Sequence, residues 1–229
     1  MRHGLTLGEL GQWYIKNKNV DCQYEVVQVN GYKGHKELGW DRNKRSWVNP
    51  SPNIPRWSST HSFCGTVLIE GTHLSEGRGT TRPLEVFGAP DLDHKKILER
   101  MNSLAPEYLK GVGIRHCYFE PTFQKHAGKV CEGLQLHMDD DLYVPAKFKP
   151  YRLVAIYLKA LRDLYPDYNI FKEPPYEYEK VIKPFDMLSG SSFLREWVLD
   201  GESSVSDLES VLSADESRWA EEKKEFEMY

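Results

Sequence analysis

The sequence has 229 residues, enough for one large domain or two small ones at roughly 100–200 residues per domain. Its 30 lysines and arginines against 34 aspartates and glutamates give a net charge of −4. That balance excludes the strongly cationic surface that nucleic acid requires, unless one face gathers the basic residues. No apolar run approaches the ~18–20 residues of a membrane span, and no apolar signal segment follows the first residue. We therefore predict neither a nucleic-acid partner nor a membrane span.

The first predicted element is a helix over about residues 5–18. Thr6 is a suitable N-cap, and Glu9 three residues later completes a capping box. Residues 24–29 alternate and are rich in β-branched side chains, which predicts a strand ending at Asn30 and Gly31. Residues 39–62 lack a regular pattern, because closely spaced prolines disfavour helix. Their tryptophans predict an ordered loop.

The rest of the chain alternates strands with helices and then becomes helical. Short strands are predicted at residues 66–69, 84–87 and 134–137, and a longer one at residues 112–119. Asp93 opens a predicted helix that ends near residue 104. The clearest amphipathic helix covers residues 150–164, and shorter helices are predicted at residues 181–188, 192–200, 206–213 and 217–226. This mixture predicts an α/β protein.

The segment of residues 70–82 is the densest in reactive side chains. It holds two carboxylates, two guanidinium groups, an imidazole, several hydroxyls and three glycines. Two carboxylates are the minimum for acid/base cleavage of a glycosidic bond. One alternative is a solvated loop with internal Glu–Arg pairs. Another is a phosphate cradle, although Gly77, Arg78 and Gly79 lack the spacing and lysine of a P-loop.

Two further segments have candidate side chains. Residues 119–133 combine aromatics with Lys125 and His126, although a lone histidine is more often structural. His137 with Asp139, Asp140 and Asp141 resembles a set of metal ligands, but no second ligand cluster accompanies it. We interpret that run as a cap and predict no metal or other cofactor. The four cysteines form no CxxC pair, so we predict reduced thiols (Cys22, Cys64, Cys117 and Cys131).

Several long strings resemble one bacterial family. EGTHLSEGRGTTRP at residues 70–83 is similar to its EGTNLSEGRGT-type motif, and PTFQKHAG at residues 121–128 is similar to its PTFSKHAG-type motif. NPSPN at residues 49–53 and RHGLTLGEL at residues 2–10 also match in order. The family is that of the NamZ-like exo-β-N-acetylmuramidases, glycoside hydrolase family 171, also known as domain of unknown function 1343. His73 departs from the family's usual asparagine.

The resemblance implies exo-cleavage of non-reducing-end β-N-acetylmuramic acid from peptidoglycan fragments. It implies a Rossmann-like domain followed by a smaller α+β domain, with the site in the cleft between them. Residues 1–92 would be the remnant of the first domain and residues 93–229 the second. Because the family's Rossmann-like half begins before residue 2, we expect activity to need that half. An intact member is expected in the periplasm or outside the cell.

The resemblance also suggests roles for individual residues. The predicted catalytic carboxylates are Glu70 and Glu76, without an assignment of acid and base. Charge complementarity suggests that Arg78 or Arg82 pairs with the lactyl carboxylate of muramic acid. The full set of predicted substrate-binding residues is Asn53, His73, Ser75, Arg78, Arg82, Lys125 and His126.

Two other functions remain open at this point. The first is a non-catalytic module that binds cell-wall sugars through Trp47, Trp57 and Arg78. The second is a metal- or phosphate-dependent enzyme that uses the His137 segment. For the glycosidase and for the sugar-binding module alike, the predicted partner is a saccharide derived from peptidoglycan.

Overall fold

A computed structural model describes residues 3–32, 46–138 and 141–229 of the chain. These residues form two units: unit 1 is Trp47–Val205, and unit 2 comprises the described parts of Arg2–Ser46 and Ser206–Tyr229. The described residues form seven α-helices and a small three-stranded sheet, so the protein is a mixed α/β protein, as predicted. No helix in the described ranges is long and apolar enough to cross a membrane.

The sheet of unit 1 is antiparallel, with the strands in the order β1, β3, β2. The strands are β1 (Val86–Ala89), β2 (Gly113–Phe119) and β3 (Cys131–His137). Gly88 of β1 lies opposite Gly133 of β3. A Cβ atom on Gly88 would lie 2.1 Å from the carbonyl oxygen of Glu132, so the two backbones approach too closely for a larger residue.

Unit 1 also contains five helices: α2 (Ser59–Thr66), α3 (His94–Leu104), α4 (Pro150–Leu164), α5 (Pro184–Ser189) and α6 (Phe193–Leu199). Helix α4 is buried from Arg152 to Leu161 and packs against α2, α3 and α6. The Phe87 and Tyr157 rings meet edge to face at 4.9 Å, which joins α4 to β1. Burial of this apolar surface is the main favourable contribution to folding of the unit.

Unit 2 contains α1 (Leu7–Lys18) and most of α7 (Val205–Lys223), which a 3-10 turn at Lys224–Phe226 follows. Thr6 caps α1, and Glu9 completes the predicted capping box. The Trp13 and Trp219 rings lie 5.5 Å apart, edge to face. The Trp13 indole also donates a hydrogen bond to Glu222 at 2.7 Å. These contacts hold α1 against α7.

Several predicted elements are wrong or shifted. Residues 24–29 are not a strand but irregular chain, and Val27 is 88% exposed. Alternation alone was insufficient because a strand also needs a neighbouring strand to bond. The apolar run at residues 66–69 is not a strand either. It is the end of α2 and a 3-10 turn, Val67–Gly71, because a short buried apolar run suits either structure.

Other predicted boundaries change less. Strand β1 begins two residues later than predicted and continues through Ala89, because Gly88 pairs with β3. The two last predicted helices form one continuous helix, α7. The four cysteines are free thiols, as predicted. The predicted domain boundary after residue 92 falls inside unit 1 and stays a prediction.

Candidate active site

The reactive segment of residues 70–83 lies beside β1 and extends the sheet locally. It begins at the 3-10 turn Val67–Gly71 rather than after a strand. Ser75 and Gly88 exchange backbone hydrogen bonds of 2.8 and 3.0 Å, and the Leu84 N–H donates to the carbonyl of Glu76 at 2.7 Å. These bonds fix the backbone on both sides of Glu76.

The loop between β2 and β3 packs on this segment at Gly79. Both the backbone N–H and the hydroxyl of Thr122 donate to the Gly79 carbonyl, at 3.0 and 2.9 Å. Gly79 has a φ of +83°, and a Cβ atom there would lie 2.7 Å from the backbone nitrogens of Thr122 and Phe123. Glycine is therefore required for the two loops to meet.

Four side chains of alternating negative and positive charge form a cluster, which we call the Glu70 cluster: Glu70, Arg78, Glu76 and Lys125. The Arg78 Nη2 atom lies 2.5 Å from Glu70 Oε1, and its Nε atom lies 3.0 Å from Glu76 Oε1. The Lys125 ammonium lies 2.7 Å from Glu76 Oε2. Hydrogen bonds between charged partners of this kind are about twice as strong as neutral ones.

Exposure separates the two carboxylates. The Glu70 side chain is 14% exposed, whereas that of Glu76 is 3% exposed. Burial by itself would lower the pKa of Arg78, but the hydrogen bonds and charges of Glu70 and Glu76 raise it overall. Arg78 therefore stays charged and joins the two carboxylates. The internal Glu–Arg pairs considered as an alternative do exist, but they are largely buried rather than solvated.

Lys125 stabilises the loop that carries the carboxylates. Its ammonium forms an ion pair with Glu76 and donates hydrogen bonds to the backbone carbonyls of Ile69, Thr72 and Leu74 at 2.9, 3.0 and 2.7 Å. Burial lowers the pKa of Lys125 to about 8, while the Glu76 charge opposes that shift. Its hydrogen-bonding capacity is thus used within the protein.

Tyr176 completes the surroundings of Glu70 and was not singled out by the sequence. Its hydroxyl donates to Glu70 Oε2 at 3.1 Å. Burial and the neighbouring Glu70 charge raise the pKa of Tyr176 to about 12. The tyrosine lies 106 residues along the chain from Glu70. No local spacing connects two residues at such a distance, so only the fold reveals the contact.

The two predicted histidines lie together near the cluster. His126 Nε2 is 2.8 Å from the backbone carbonyl oxygen of His73. The His73 ring is exposed and lies 3.4 Å from the Asn169 side-chain amide. Partial burial and the charges of Lys172 and Lys125 lower the pKa of His73, so its neutral form is favoured at pH 7.

Three other predicted binding residues have different surroundings. Ser75 is buried, and its hydroxyl accepts a hydrogen bond from the Gly77 N–H at 3.1 Å, as in a tight turn. Arg82 pairs with Glu85 at 3.0 Å rather than with the Glu70 cluster. The Asn53 backbone N–H donates to the Ser51 hydroxyl at 3.3 Å. The structure thus joins Glu70, Glu76, Arg78 and Lys125 most directly.

The two tryptophans of the sugar-binding alternative contact residues close to them in the sequence. The Trp47 indole donates to the Ile54 carbonyl at 3.4 Å, and the Trp57 ring packs edge to face on His61 at 4.4 Å. Asp139 and Asp140 lie outside the described residues. Within the described ranges no group of three or more histidine, cysteine, aspartate or glutamate residues is arranged to hold a metal ion.

Comparison with protein families decides the relationship. Residues 61–229 match the family model described as the C-terminal part of exo-β-N-acetylmuramidase NamZ, and residues 1–58 match the N-terminal part. The chain belongs to the NamZ exo-β-N-acetylmuramidase family. This NamZ family member is 36% identical over 203 residues to the peptidoglycan β-N-acetylmuramidase NamZ of Bacillus subtilis (strain 168). The match covers 89% of this chain and 45% of that relative.

Solved structures support the fold of this NamZ family member. Two DUF1343 family proteins from Bacteroides fragilis NCTC 9343 superimpose with TM-scores of 0.77 and 0.69, at 21% and 22% identity. Each match covers 99% of this chain and 56% of the other protein. The chain therefore spans about half the length of the relatives that it matches.

Proposed function

We propose that this chain forms part of a glycosidase that removes non-reducing-end β-N-acetylmuramic acid from peptidoglycan fragments. Membership of the NamZ family supports the reaction, since the Bacillus subtilis relative is named as a peptidoglycan β-N-acetylmuramidase. The single structural observation that carries the proposal is the Glu70 cluster. It holds two carboxylates on one guanidinium inside the most reactive segment of the chain.

In this proposal the two carboxylates have unequal access to substrate. Glycosidases stabilise a positively charged, oxocarbenium-like transition state with carboxylates next to the sugar. Glu70 is the more exposed of the pair, so we assign it the contact with the sugar ring. Glu76 lies behind it, bonded to Arg78 and Lys125. Both remain the proposed catalytic carboxylates of this chain.

The proposed sugar contacts follow from exposure. His73 is exposed and His126 is half-buried beside it. The proposed partner of the lactyl carboxylate is Arg78 or Arg82, whose side chains are 21% and 33% exposed. Asn53 remains a proposed contact. Ser75 and Lys125 contribute by holding the loop, through the turn at Gly77 and the bonds to the backbone carbonyls.

We also propose the domain arrangement of the family. Residues 1–92 would correspond to the tail of a Rossmann-like domain and residues 93–229 to the smaller α+β domain. The matches of residues 1–58 to the N-terminal family model and of residues 61–229 to the C-terminal one support a two-part chain, with the change near residue 60 rather than residue 92. Because the chain matches 45% of the Bacillus subtilis relative, the complete site would include residues of the other half.

The test is hydrolysis of a chromogenic β-N-acetylmuraminide. The assay uses the chain alone and a chimera in which it replaces the matching segment of the Bacillus subtilis relative. We expect hydrolysis by the chimera and much less with the N-acetylglucosaminide that lacks the lactyl group. The remaining half of the relative, alone, is the background control. The same assay is run with Glu70→Gln and Glu76→Gln. The matched control for both variants is Glu107→Gln, a substitution of an exposed residue of unit 1.

The outcomes separate the candidate functions. Release of the chromophore by the chimera above the background control supports the glycosidase. A chimera that folds and binds muramic acid without turnover would instead support a sugar-binding module. A folded chimera with neither turnover nor binding would contradict both functions.

A further inference from the structure

Tyr176 lies outside the predicted set, and its side chain contacts a proposed catalytic carboxylate. Its hydroxyl bonds Glu70 Oε2 at 3.1 Å, while Arg78 bonds the other oxygen, Oε1, at 2.5 Å. Both oxygens of Glu70 therefore accept a hydrogen bond, from opposite sides of the carboxylate. An ionised carboxylate is an acceptor only, so this arrangement suits the charged form.

The loop that contains Tyr176 is anchored beside Glu70 by backbone bonds. The His73 N–H donates to the Ile170 carbonyl at 2.8 Å, and the Lys172 N–H donates to the Gly71 carbonyl at 3.0 Å. Tyr176 and Glu179 exchange two backbone hydrogen bonds of 2.9 Å each, which closes a tight turn around the tyrosine. Its hydroxyl is thus positioned by the fold before any ligand arrives.

In this arrangement the Tyr176 hydroxyl donates to Glu70. Burial and the Glu70 charge raise the pKa of the phenol to about 12, so it keeps its proton at neutral pH. If Glu70 took a proton on Oε2, the phenol hydroxyl would have to rotate and accept instead of donating. A hydrogen bond donated to a carboxylate favours the charged form.

Glu76 is ion-paired through both oxygens, but its buried Oε2 atom has no hydrogen-bond donor among the described residues. Its Oε1 atom pairs with Arg78 and its Oε2 atom with Lys125, at 3.0 and 2.7 Å. A general acid must carry a proton to the leaving oxygen of the glycosidic bond. The bonding of Glu70 suits a carboxylate rather than such an acid.

We infer that Tyr176 is a positioning residue that holds Glu70 as an oriented, ionised carboxylate. Glu70 then serves as the base or the charge-stabilising carboxylate of the reaction rather than as its general acid. This assignment of roles rests on the proposed glycosidase function, whereas the Tyr176–Glu70 interaction itself does not.

The experiment compares Tyr176→Phe with Tyr178→Phe in the full chain. Tyr178 is 96% exposed and lies two residues away, so it is a matched control. Glutamate labelled with ¹³C at the side-chain carboxyl gives the titration of Glu70, which is assigned by its absence in Glu70→Gln. We expect Tyr176→Phe to move the Glu70 midpoint to higher pH by about half to one unit, the effect of one lost hydrogen bond to the charged form. Tyr178→Phe should leave it in place.

A second measurement uses the active form identified by the chromogenic assay. Tyr176→Phe should move the acidic limb of the pH profile for kcat/KM upward by the same amount. An unchanged Glu70 titration in Tyr176→Phe, or an equal change in Tyr178→Phe, would overturn the inference. If the titration shifts but no form of the protein hydrolyses a muraminide, the Tyr176–Glu70 interaction stands and the glycosidase proposal fails.

Discussion

Glu70 and Glu85 are two carboxylates of one short stretch of chain, and each pairs with an arginine of the reactive segment. Glu85 has a side chain that is 1% exposed. It accepts hydrogen bonds from Arg82 and from the hydroxyls of Ser58 and Ser59, at 3.0, 3.0 and 2.7 Å. Glu70 is 14% exposed and bonds Arg78 and Tyr176.

The contrast shows that a Glu–Arg pair has no fixed meaning in the sequence. The bonding groups of Glu85 come from the start of α2 and from its own turn, and they enclose it within the fold. The bonding groups of Glu70 orient it but leave part of it open to solvent. We therefore assign a structural role to Glu85 and a chemical role to Glu70, and the predictions below test that difference.

The largest expected effect comes from Lys125, since the geometry around Glu70 depends on it. Lys125→Met leaves Glu76 and three backbone carbonyls without their common donor. Removal of one partner of a buried pair costs about 3–5 kcal/mol, so the free energy of unfolding should fall by that amount in urea denaturation. Lys129→Met, on an exposed residue of the same loop, should change it by less than about 0.5 kcal/mol. Equal effects of the two variants would contradict the role of Lys125.

Gly79→Ala tests the contact between the two loops. The substitution combines a positive φ with a Cβ atom 2.7 Å from two backbone nitrogens. We expect a loss of about 2–4 kcal/mol in unfolding free energy from strain and overpacking. Gly128→Ala is the control, because Gly128 has a φ of +70° and open space around it, so only backbone strain of about 1 kcal/mol applies. Similar losses at both positions would show that the close approach at Gly79 is unimportant.

Glu85→Gln and Glu70→Gln test the assigned difference between the two carboxylates directly. Glu85→Gln weakens charged hydrogen bonds in a buried site and should cost about 2 kcal/mol in thermal or chemical unfolding. Glu70→Gln keeps the shape of a less buried group and should cost less than Glu85→Gln. A larger stability loss at Glu70 than at Glu85 would reverse our assignment.

A buried histidine makes the stability of the protein depend on pH. Burial lowers the pKa of His94 from its usual 6.5, and the ring is hydrogen-bonded to Tyr157 and the Leu92 carbonyl at 2.9 and 3.1 Å. Below pH 6.5 the unfolded chain binds a proton that the folded protein does not. The unfolding free energy should therefore fall as pH decreases from 6.5, by up to about 1.4 kcal/mol per pH unit from this residue. His94→Gln should show a shallower dependence, and an equal slope would contradict the prediction.

The sequence predicted best what local signals determine. The capping box at Thr6 and Glu9, the N-cap at Asp93 and the apolar periodicity of residues 150–164 each describe a helix that the structure contains. The strand predicted at residues 24–29 failed because strands depend on distant partners. The strand predicted at residues 66–69 was wrong because the apolar side chains there suit a buried helix equally well.

The candidate site was predictable in its composition but not in its connections. The sequence indicated Glu70, Glu76 and Arg78 because they are close together in one unusual segment. It did not separate Arg82, which pairs with Glu85, from Arg78, which pairs with the catalytic candidates. It also missed Tyr176, whose contact with Glu70 arises from the anchoring of a distant loop.

The most direct test of the central claim is the rate of muraminide hydrolysis by Glu70→Gln beside Glu85→Gln, in the chimera with the Bacillus subtilis relative. Rates are compared per folded molecule, with folding measured by circular dichroism on the same samples. We predict that Glu70→Gln lowers kcat by about 10²–10⁴-fold, while Glu85→Gln stays within about fivefold of the unmodified chimera. The contradictory result is a Glu70→Gln variant that keeps full activity while a folded Glu85→Gln variant loses it.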